Sequence, residues 1–303
     1  MSTLKNTVDL KSLKEKNIII LGPTAAGKTK YAIDLAKKLD GEIISADSMQ
    51  VYRGMDIGTA KPTIKDREGV PHHLIDIKNP DEEWTVSDFV EDANRLEPEI
   101  MARNKTPIIV GGTGLYLWSL VNGFSFPLVS ADEKVRAELE KFTTPQLYQK
   151  LKEIDSKSCE KIHQNDRKRI IRALEVYELT GNPISQIQKR ESRKKRTESQ
   201  ILIGLNLPRE ILYEKINLRV DNMIEKGLVD EVKGLLEKGY SKNLRSFQAL
   251  GYKEVITYLK GTWTKEKMIE ELKKRTRNFA RRQMTWFRRF EGVLWIEANN
   301  TSH

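Results

Sequence analysis

IIILGPTAAGKTKYAIDLAKKL, from Ile18 to Leu39, is the stretch that decides the fold. Four apolar residues lead into a loop of the form G-x-x-x-x-G-K-T, and an amphipathic run follows it. In such a loop the glycines let backbone N–H groups surround phosphate oxygens, beside the positive N-terminal end of the next helix. Lys28 adds a point charge, and the Thr29 hydroxyl can ligate Mg²⁺. The predicted phosphate-binding residues are Gly22, Pro23, Thr24, Ala25, Ala26, Gly27, Lys28 and Thr29.

The pattern beyond this loop predicts an α/β fold. Short apolar runs alternate with helical stretches, and that order implies a parallel sheet covered on both faces. The predicted strands are Ile18–Leu21, Glu42–Ala46, Pro107–Val110 and Ile201–Leu207, and the first predicted helices are Lys28–Leu39 and Val86–Arg103. We therefore expect a P-loop-type parallel sheet flanked by helices.

An all-helical lobe is predicted to interrupt this core over residues 122–200. Its segments ADEKVRAELEKF, PQLYQKLKEID and DRKRIIRALEVYELTG space their apolar residues as helices do. The catalytic core would then comprise residues 17–121 and 201–303. Residues 1–16 are expected to form a loosely held leader, and Gln188–Ser199, with six Lys or Arg and no apolar residue, a solvated linker.

Composition narrows the class of protein. With 53 Lys+Arg against 43 Asp+Glu the net charge is +10, which favours a polyanionic partner if the excess is clustered. The single cysteine, Cys159, excludes an internal disulfide. No apolar run approaches the ~20 residues of a membrane span. These features predict a cytoplasmic protein without a membrane anchor.

The loop alone does not name its ligand, because it binds phosphates and not the group attached to them. A nucleoside triphosphatase usually adds an Asp at the end of a hydrophobic strand. Here Ile108–Val110 is followed by GGTGLY, and the strand-end carboxylate is instead Asp47, in IISADSMQVY. Asp47 could hold a water of the Mg²⁺ shell, accept a proton from a nucleophile, or cap the next turn. Thr113 could likewise touch a phosphate oxygen or merely occupy a glycine turn.

Two basic segments point to a nucleic acid. Lys273–Arg289 contains eight Lys or Arg and no acidic residue, with aromatic residues interleaved. Arg167, Lys168, Arg169 and Arg172 begin a helix in the lobe, where their charge is unfavourable unless an anion binds. Either cluster alone would be a solvated surface. Gln283 shares an apolar stripe, so its amide is either satisfied by core backbone or directed at a ligand or base.

These residues together resemble those of bacterial tRNA dimethylallyltransferases, which prenylate an adenine beside the anticodon. The matching stretches are GPTAAGKT, IISADSMQVYRGMDIGTAKPT, PHHLIDI, GGTGLY, HQNDRKRIIRALEVYELTG, GYKEVI and RRQMTWFRR. The resemblance implies that the loop holds the diphosphate of dimethylallyl diphosphate with Mg²⁺. It also implies that the N6 amine of a flipped-out adenine attacks the allylic carbon. A monomer is the family expectation.

The resemblance further implies individual roles. Asp47 would be the general base that anchors the adenine amine, Thr113 would touch the reacting centre, and Arg219 would bind the diphosphate. The implied contacts with the tRNA anticodon stem-loop are Asp47, Ser48, Met49, Gln50, Thr113, Arg136, Lys168, Arg169, Ile170, Ile171 and Arg172, with Gln283 as a weaker addition. The KRIIR segment departs from the family pattern, so Ile170 and Ile171 could instead be core residues.

Three other functions compete with this one. A prenyltransferase could act on free AMP, ADP or ATP, although a mononucleotide needs neither a helical lobe nor a basic segment. A small-molecule kinase could bind ATP in the same nucleotide-binding loop. A non-catalytic P-loop protein could bind RNA without turnover.

Overall fold

The computed structural model describes residue 13 and residues 16–123, 131–190 and 200–297. Most of the predicted leader and residues 191–199 of the predicted basic linker lie outside the described residues. The chain divides into two compact units, one comprising Met1–Leu120 and Arg196–His303 and the other Val121–Lys195. The second unit, called the helical lobe below, corresponds to the insertion that we predicted between residues 122 and 200.

The first unit is built on a six-stranded sheet in which every neighbouring pair of strands is parallel. The strands are β1 Asn17–Leu21, β2 Gly41–Ser45, β3 His72–His73, β4 Thr106–Gly111, β5 Gln200–Asn206 and β6 Val293–Glu297, in the order β3-β2-β4-β1-β5-β6. The predicted parallel α/β fold is confirmed. Sequence reasoning missed β3, which has two residues, and β6, which is partly exposed at the sheet edge.

Burial explains why the central strands are continuous apolar runs. β1 lies between β4 and β5, with Ile18 opposite Ile108 on one side and Ile201 on the other. All four residues Ile18–Leu21 are completely buried. A strand covered on both faces cannot alternate polar and apolar residues, so the unbroken run is what the sheet requires.

Helices of the first unit surround this sheet. They are α1 Lys28–Leu39, α2 Val86–Ala102, α3 Gly114–Asn122 (whose last residues belong to the lobe), α9 Arg209–Glu225, α10 Leu228–Glu237, α11 Tyr252–Leu259 and α12 Lys265–Phe287, with a short 3₁₀ helix at Ser246–Gln248. α2 begins with a reciprocal capping box between Thr85 and Asp88, which satisfies backbone donors at its first turn. Among the described residues, no helix combines the length and the apolar character that crossing a membrane requires.

The helical lobe has its own core. Its helices are α4 Glu133–Glu140, α5 Thr144–Ile154, α6 Ser156–Cys159, α7 Arg167–Thr180 and α8 Ile184–Arg190. Leu139, Leu147, Leu151 and Leu174 form the centre of one buried cluster, to which α4, α5 and α7 contribute. The helical periodicity of the three predicted segments therefore reflects packing within the lobe.

One buried polar pair lies beneath the sheet end where β1 begins. Asn17 donates a side-chain hydrogen bond to Glu97 Oε2. Among the described residues, Glu97 Oε1 and Asn17 Oδ1 have no hydrogen-bond partner. Burial raises the pKa of Glu97 to about 7, against the smaller lowering effect of the Asn17 bond. Protonation supplies an O–H donor, which the unpaired Asn17 oxygen needs.

We expect Glu97 to make stability depend on pH near neutrality. Because its pKa is raised on folding, its contribution is fully present below the ordinary Glu pKa and is lost as pH rises through about 7. Between pH 5 and pH 8 the free energy of unfolding should fall by about 2 kcal/mol from this group. Urea denaturation of wild type and Glu97→Gln should show that the variant lacks this decrease.

Glu91→Gln is the matched control, because Glu91 is exposed on the same helix. This control should keep the wild-type pH profile. An identical fall in wild type and Glu97→Gln would contradict the assignment.

Candidate functional site

The loop Gly22–Thr29 joins the end of β1 to the start of α1, as predicted. Gly22 is required by close approach, because a Cβ there would lie 2.5 Å from the Leu205 carbonyl oxygen. Gly27 adopts a left-handed conformation, φ 83°, immediately before α1. Lys28 Nζ folds back and donates to the Pro23 carbonyl oxygen at 2.7 Å. The loop therefore curls around the Lys28 ammonium group, which bonds to the loop's own backbone.

A cavity of about 810 Å³ opens at this loop, and its lining is strongly cationic. Asp47 is the single carboxylate among the described residues that line it, whereas six cations do so. These are Lys28, Lys30, Lys215, Arg219, Arg245 and Arg282. The excess of positive charge in a concave site indicates an anionic ligand.

Asp47 lies just beyond the end of β2 and lines this cavity. Its Oδ1 accepts the backbone N–H of Met49 at 2.9 Å and that of Gln50 at 3.4 Å. The turn-capping alternative is therefore correct for this oxygen. Since both bonds go to Oδ1, the turn does not use the second carboxylate oxygen. Capping also orients the carboxylate, so the two roles considered for Asp47 are compatible.

Thr113 connects the ends of β2 and β4. Its Oγ1 accepts the Ser48 N–H at 3.1 Å, and its own N–H donates to the Ala46 carbonyl oxygen at 3.4 Å. The neighbouring Gly111 is equally constrained, because a Cβ would lie 2.1 Å from that same carbonyl oxygen. The hydroxyl is thus held beside the Asp47 turn, and Ser48 and Thr113 both line the cavity.

Gln283 braces the phosphate loop from α12. Its Oε1 accepts the Thr24 N–H at 2.8 Å, and its Nε2 donates to the Gly112 carbonyl oxygen at 2.8 Å. The side chain is only 5% exposed. This geometry favours the alternative in which the amide is satisfied by backbone. Contact between Gln283 and RNA stays a prediction.

Lys28 and Arg219 bring two half-buried cations to one cavity. The pKa of Lys28 is lowered to about 7, chiefly by burial and also by the Arg219 charge, while the Asp47 carboxylate opposes this shift. Burial likewise lowers the pKa of Arg219, opposed by Asp47, but a guanidinium stays charged in proteins. An anion bound between them would restore favourable electrostatics to both.

Sequence reasoning missed other cations of this cavity. Lys215 lies four residues before Arg219 on α9, so helical spacing could have placed both on one face. Arg245 precedes the 3₁₀ helix in an irregular segment, and its position carries no periodic signal. Gln50 was predicted, and the structure adds that its Nε2 donates to the Thr59 carbonyl oxygen at 3.4 Å.

Within the helical lobe, the predicted tRNA contacts have different environments. Ile170 and Ile171 are buried in the lobe core, so their predicted role as contact residues is replaced by packing. Arg136 and Arg172 form ion pairs with Glu175, at 2.7 and 2.6 Å, and that carboxylate is completely buried. Lys168 and Arg169 are exposed. The two exposed cations are the members of this set best placed to meet a partner.

The structure also corrects our expectation about the basic residues at the start of α7. The sequence indicated that like charges at this N-terminus cost some stability and hint at a bound anion. Asp166 instead caps the helix, accepting the Arg169 N–H at 3.2 Å, and lies 3.4 Å from the Arg169 guanidinium. An intrinsic carboxylate therefore offsets part of the unfavourable charge.

Comparisons with known proteins show which family the chain belongs to. The family described as IPP transferase matches residues 50–290. A tRNA dimethylallyltransferase of Acetivibrio thermocellus is 51% identical over 284 residues, covering 92% of this chain and 90% of that protein. Another, of Carboxydothermus hydrogenoformans, is 50% identical over 294 residues, covering 96% and 94%.

Solved structures give the same result. A tRNA isopentenylpyrophosphate transferase of Bacillus halodurans has a TM-score of 0.70 and 46% identity, covering 95% of this chain and 92% of that one. A eukaryotic dimethylallyltransferase acting on tRNA has a TM-score of 0.82 and 30% identity, covering 94% and 74%. The similarity therefore extends over nearly the whole chain.

We expect Lys28 to take up a proton when inorganic diphosphate binds. At pH 8 the amine is mainly neutral, because its pKa is about 7. A bound anion favours the ammonium form, so uptake should approach about one proton per site. Calorimetry in buffers of different ionisation enthalpy measures this uptake.

Lys28→Arg is the control, since its guanidinium is charged before and after binding. Protons bound by diphosphate itself cancel in the difference between wild type and variant. Equal proton uptake by the two proteins would contradict the prediction.

Proposed function

The chain belongs to the tRNA dimethylallyltransferase family, and from that premise we propose its reaction in detail. Membership confirms the predicted enzyme class, a tRNA-modifying transferase. We propose that the protein transfers a dimethylallyl group from dimethylallyl diphosphate to the N6 amine of the adenine immediately 3′ of the anticodon. The products are N6-dimethylallyladenosine in tRNA and diphosphate.

The observation that carries this proposal is the set of residues that line the cavity. Phosphate-loop residues, Asp47, Thr113 and Arg219 line the same space, together with apolar side chains. The apolar lining includes Val220, Met223, Leu250, Leu272 and Phe279. A ligand with an anionic diphosphate end and a hydrocarbon end matches such a surface.

In the proposed reaction, the adenine N6 forms a bond to the allylic carbon. The carbon–oxygen bond to diphosphate breaks, and the leaving group departs with the electron pair. N6 then carries an extra proton, which the Asp47 carboxylate accepts. The amine is a weak nucleophile because its lone pair is conjugated into the purine, so both proton removal and leaving-group stabilisation contribute.

The remaining site residues act on charge and orientation. Lys28 and Arg219 supply cations for the departing diphosphate, and the backbone N–H groups of the loop add fixed donors. Thr113, held by the Ser48 N–H, presents its hydroxyl beside the Asp47 turn. Gln283 links the phosphate loop to the Gly112 turn through its two hydrogen bonds. The chain thereby provides a site organised before the substrate arrives.

Mg²⁺ fits this proposal as a partner of the diphosphate. Thr29 has an exposed side chain at the cavity, and Asp47 faces the same space, so two oxygen ligands of the kind Mg²⁺ prefers are present. Among the described residues, no cluster of three or more His, Cys, Asp or Glu could hold a metal ion. Bound Mg²⁺ would therefore rely on substrate oxygens and water, and would neutralise diphosphate charge.

We propose that exposed cations in both units contact the tRNA anticodon stem-loop. Arg281, Arg288 and Arg289 are exposed on or just after α12, and Lys168 and Arg169 are exposed on α7. Such side chains bind nucleic-acid phosphates and release counterions. The adenine must leave its stack to reach a cavity, as it does in other enzymes that modify bases. A monomeric state and a cytoplasmic location stay predictions.

The competing functions give different products in one assay. We expect dimethylallyl diphosphate, Mg²⁺ and tRNA to yield prenylated tRNA by mass, with no product on AMP. A dimethylallyl group found on AMP alone would refute the tRNA proposal, and phosphate transfer from ATP would support a kinase. The absence of any turnover with tRNA bound would support a non-catalytic RNA-binding protein.

Asp47→Asn should separate proton acceptance from turn capping. The amide oxygen can still cap Met49, but the side chain cannot take a proton from N6. Turnover should fall by roughly 100-fold or more, while tRNA affinity stays within a few fold. Single-turnover rates and filter binding measure the two quantities. Asp34→Asn, an exposed change on α1, should leave both unchanged; undiminished turnover in Asp47→Asn would remove Asp47 as the base.

Replacing Lys168 and Arg169 together by alanine should weaken tRNA binding by about tenfold. The slope of log affinity against log salt should fall by about 2, because two phosphate contacts are lost. Binding titrations at several salt concentrations measure both effects. Lys152→Ala with Lys157→Ala is the matched control, since these cations are also exposed on the lobe. An equal loss in the two double variants would show that only net charge matters. Arg172 is a poor probe, because its removal takes away one of the two guanidinium partners of the buried Glu175.

A further inference from the structure

Two of the quoted stretches, DIGTAKPT and GYKEVI, carry no role in the proposed chemistry. The structure brings them together at Glu231, on α10. The Glu231 carboxylate accepts three consecutive backbone N–H groups, from Asp56 at 2.9 Å, Ile57 at 2.7 Å and Gly58 at 3.1 Å. Successive N–H groups directed at one carboxylate fix the conformation of the segment that carries them.

Tyr252 completes this arrangement from the GYKEVI stretch. Its hydroxyl donates to Glu231 Oε1 at 2.6 Å, and its side chain is completely buried. Gly58 has no room for a side chain, because a Cβ would lie 2.4 Å from the Tyr252 ring. The ring is therefore packed directly on the backbone that Glu231 holds. We call Glu231, Tyr252 and residues 56–58 the Glu231 clamp.

The clamp is adjacent to two residues of the proposed site. The Thr59 carbonyl oxygen, one residue beyond the clamp, accepts Arg219 Nη2 at 3.5 Å and Gln50 Nε2 at 3.4 Å. The Thr59 hydroxyl also donates to the Met55 carbonyl oxygen at 2.6 Å, which closes the turn on itself. The position of one carbonyl group thus affects both Arg219, the predicted diphosphate-binding residue, and Gln50, a predicted tRNA contact.

Glu231 is not among the described residues that line the cavity, so any effect on substrate must pass through other groups. A second anchor holds the same turn independently. Lys61 Nζ, which is buried, donates to the Tyr52 carbonyl oxygen at 2.7 Å and to the carboxylates of Asp56 and Asp76 at 2.5 and 2.6 Å. Weakening Glu231 should therefore misplace the turn without unfolding it.

We propose that Glu231 is a positioning residue that acts through the Thr59 carbonyl group to aim Arg219 at the diphosphate. This inference rests on the proposed function, in which Arg219 binds that group. Glu231 keeps the carbonyl oxygen where it can accept the guanidinium, and the guanidinium in turn presents its remaining N–H donors to the ligand. The chemical reason for a carboxylate is that it offers acceptors only, to four donors.

The test is a double-mutant cycle read by the affinity for inorganic diphosphate. Glu231→Gln replaces one acceptor by an amide donor, which faces N–H or O–H groups. We expect its diphosphate affinity to fall by about tenfold, and that of Tyr252→Phe by a smaller factor, because one of four bonds is lost. Glu237→Gln, at an exposed position on the same helix, should bind like wild type.

The Arg219→Ala background separates positioning from a structural role. In that background Glu231→Gln should cause no further loss, because the group through which it acts is missing. Thermal melting of each variant checks that the proteins are folded, and Tyr252→Phe serves if Glu231→Gln does not fold.

Each outcome bears on a different claim. Wild-type affinity in folded Glu231→Gln, or the same tenfold loss with and without Arg219, would overturn the positioning role while leaving the proposed function intact. Unchanged affinity in Arg219→Ala would instead refute Arg219 as a diphosphate ligand, and the inference would fall with that part of the proposed function.

Discussion

All strand pairs in the sheet are parallel, so every strand delivers its carboxyl end to the same edge. The site depends on this constraint. β1 ends at the phosphate loop, β2 ends at the Asp47 turn, and β4 between them ends at Gly112 and Thr113. Residues that are far apart in sequence therefore lie close together at this edge of the sheet. The glycines allow it, because the backbones of β4 and the Asp47 segment approach too closely for a side chain at Gly111.

Sheet geometry brings these ends together, but it does not fix their detailed conformation. Side-chain bonds to backbone do so at three points. The Thr113 hydroxyl accepts the Ser48 N–H. The Gln283 amide bonds to the backbone of both Thr24 and Gly112. The Glu231 carboxylate accepts the N–H groups of residues 56–58. Each bond is made by a side chain from another element, which explains why helices α10 and α12 matter to a site formed mainly by loops. A buried amide such as that of Gln283 is costly unless it is paired, so its two bonds also stabilise one conformation over others.

The predictable part of the molecule follows from local rules. The phosphate loop, β1, β2 and β4 were recovered because a buried parallel strand needs an unbroken apolar run and the loop needs glycine at fixed positions. The strand His72–His73 could not be recovered, since two polar residues have no periodicity and pair only because β2 lies beside them. Glu231 could not be recovered either, because the three backbone N–H groups that it accepts lie more than 170 positions away in the chain. Family resemblance pointed to Arg136 and Ile170 as RNA contacts, but neither its motifs nor the spacing showed that one pairs with Glu175 and the other packs in the lobe core.

The cavity is cationic because two of its basic residues lack, among the residues that the structure describes, the ion pairs that other buried charged residues form. Three buried charged residues elsewhere in the described part of the chain have ion-pair partners: Lys61 contacts two carboxylates, Glu175 two guanidinium groups, and Glu254 the Arg275 guanidinium. Within the described residues, Lys28 and Arg219 have no ion-pair partner within 4.0 Å and donate only to carbonyl groups. Pairing them with protein carboxylates would cancel much of the positive potential that attracts an anion. A site that must stabilise a departing diphosphate gains most from cations whose strongest partner is the leaving group itself. Burial and the Arg219 charge lower the pKa of Lys28, and a bound diphosphate would oppose both effects.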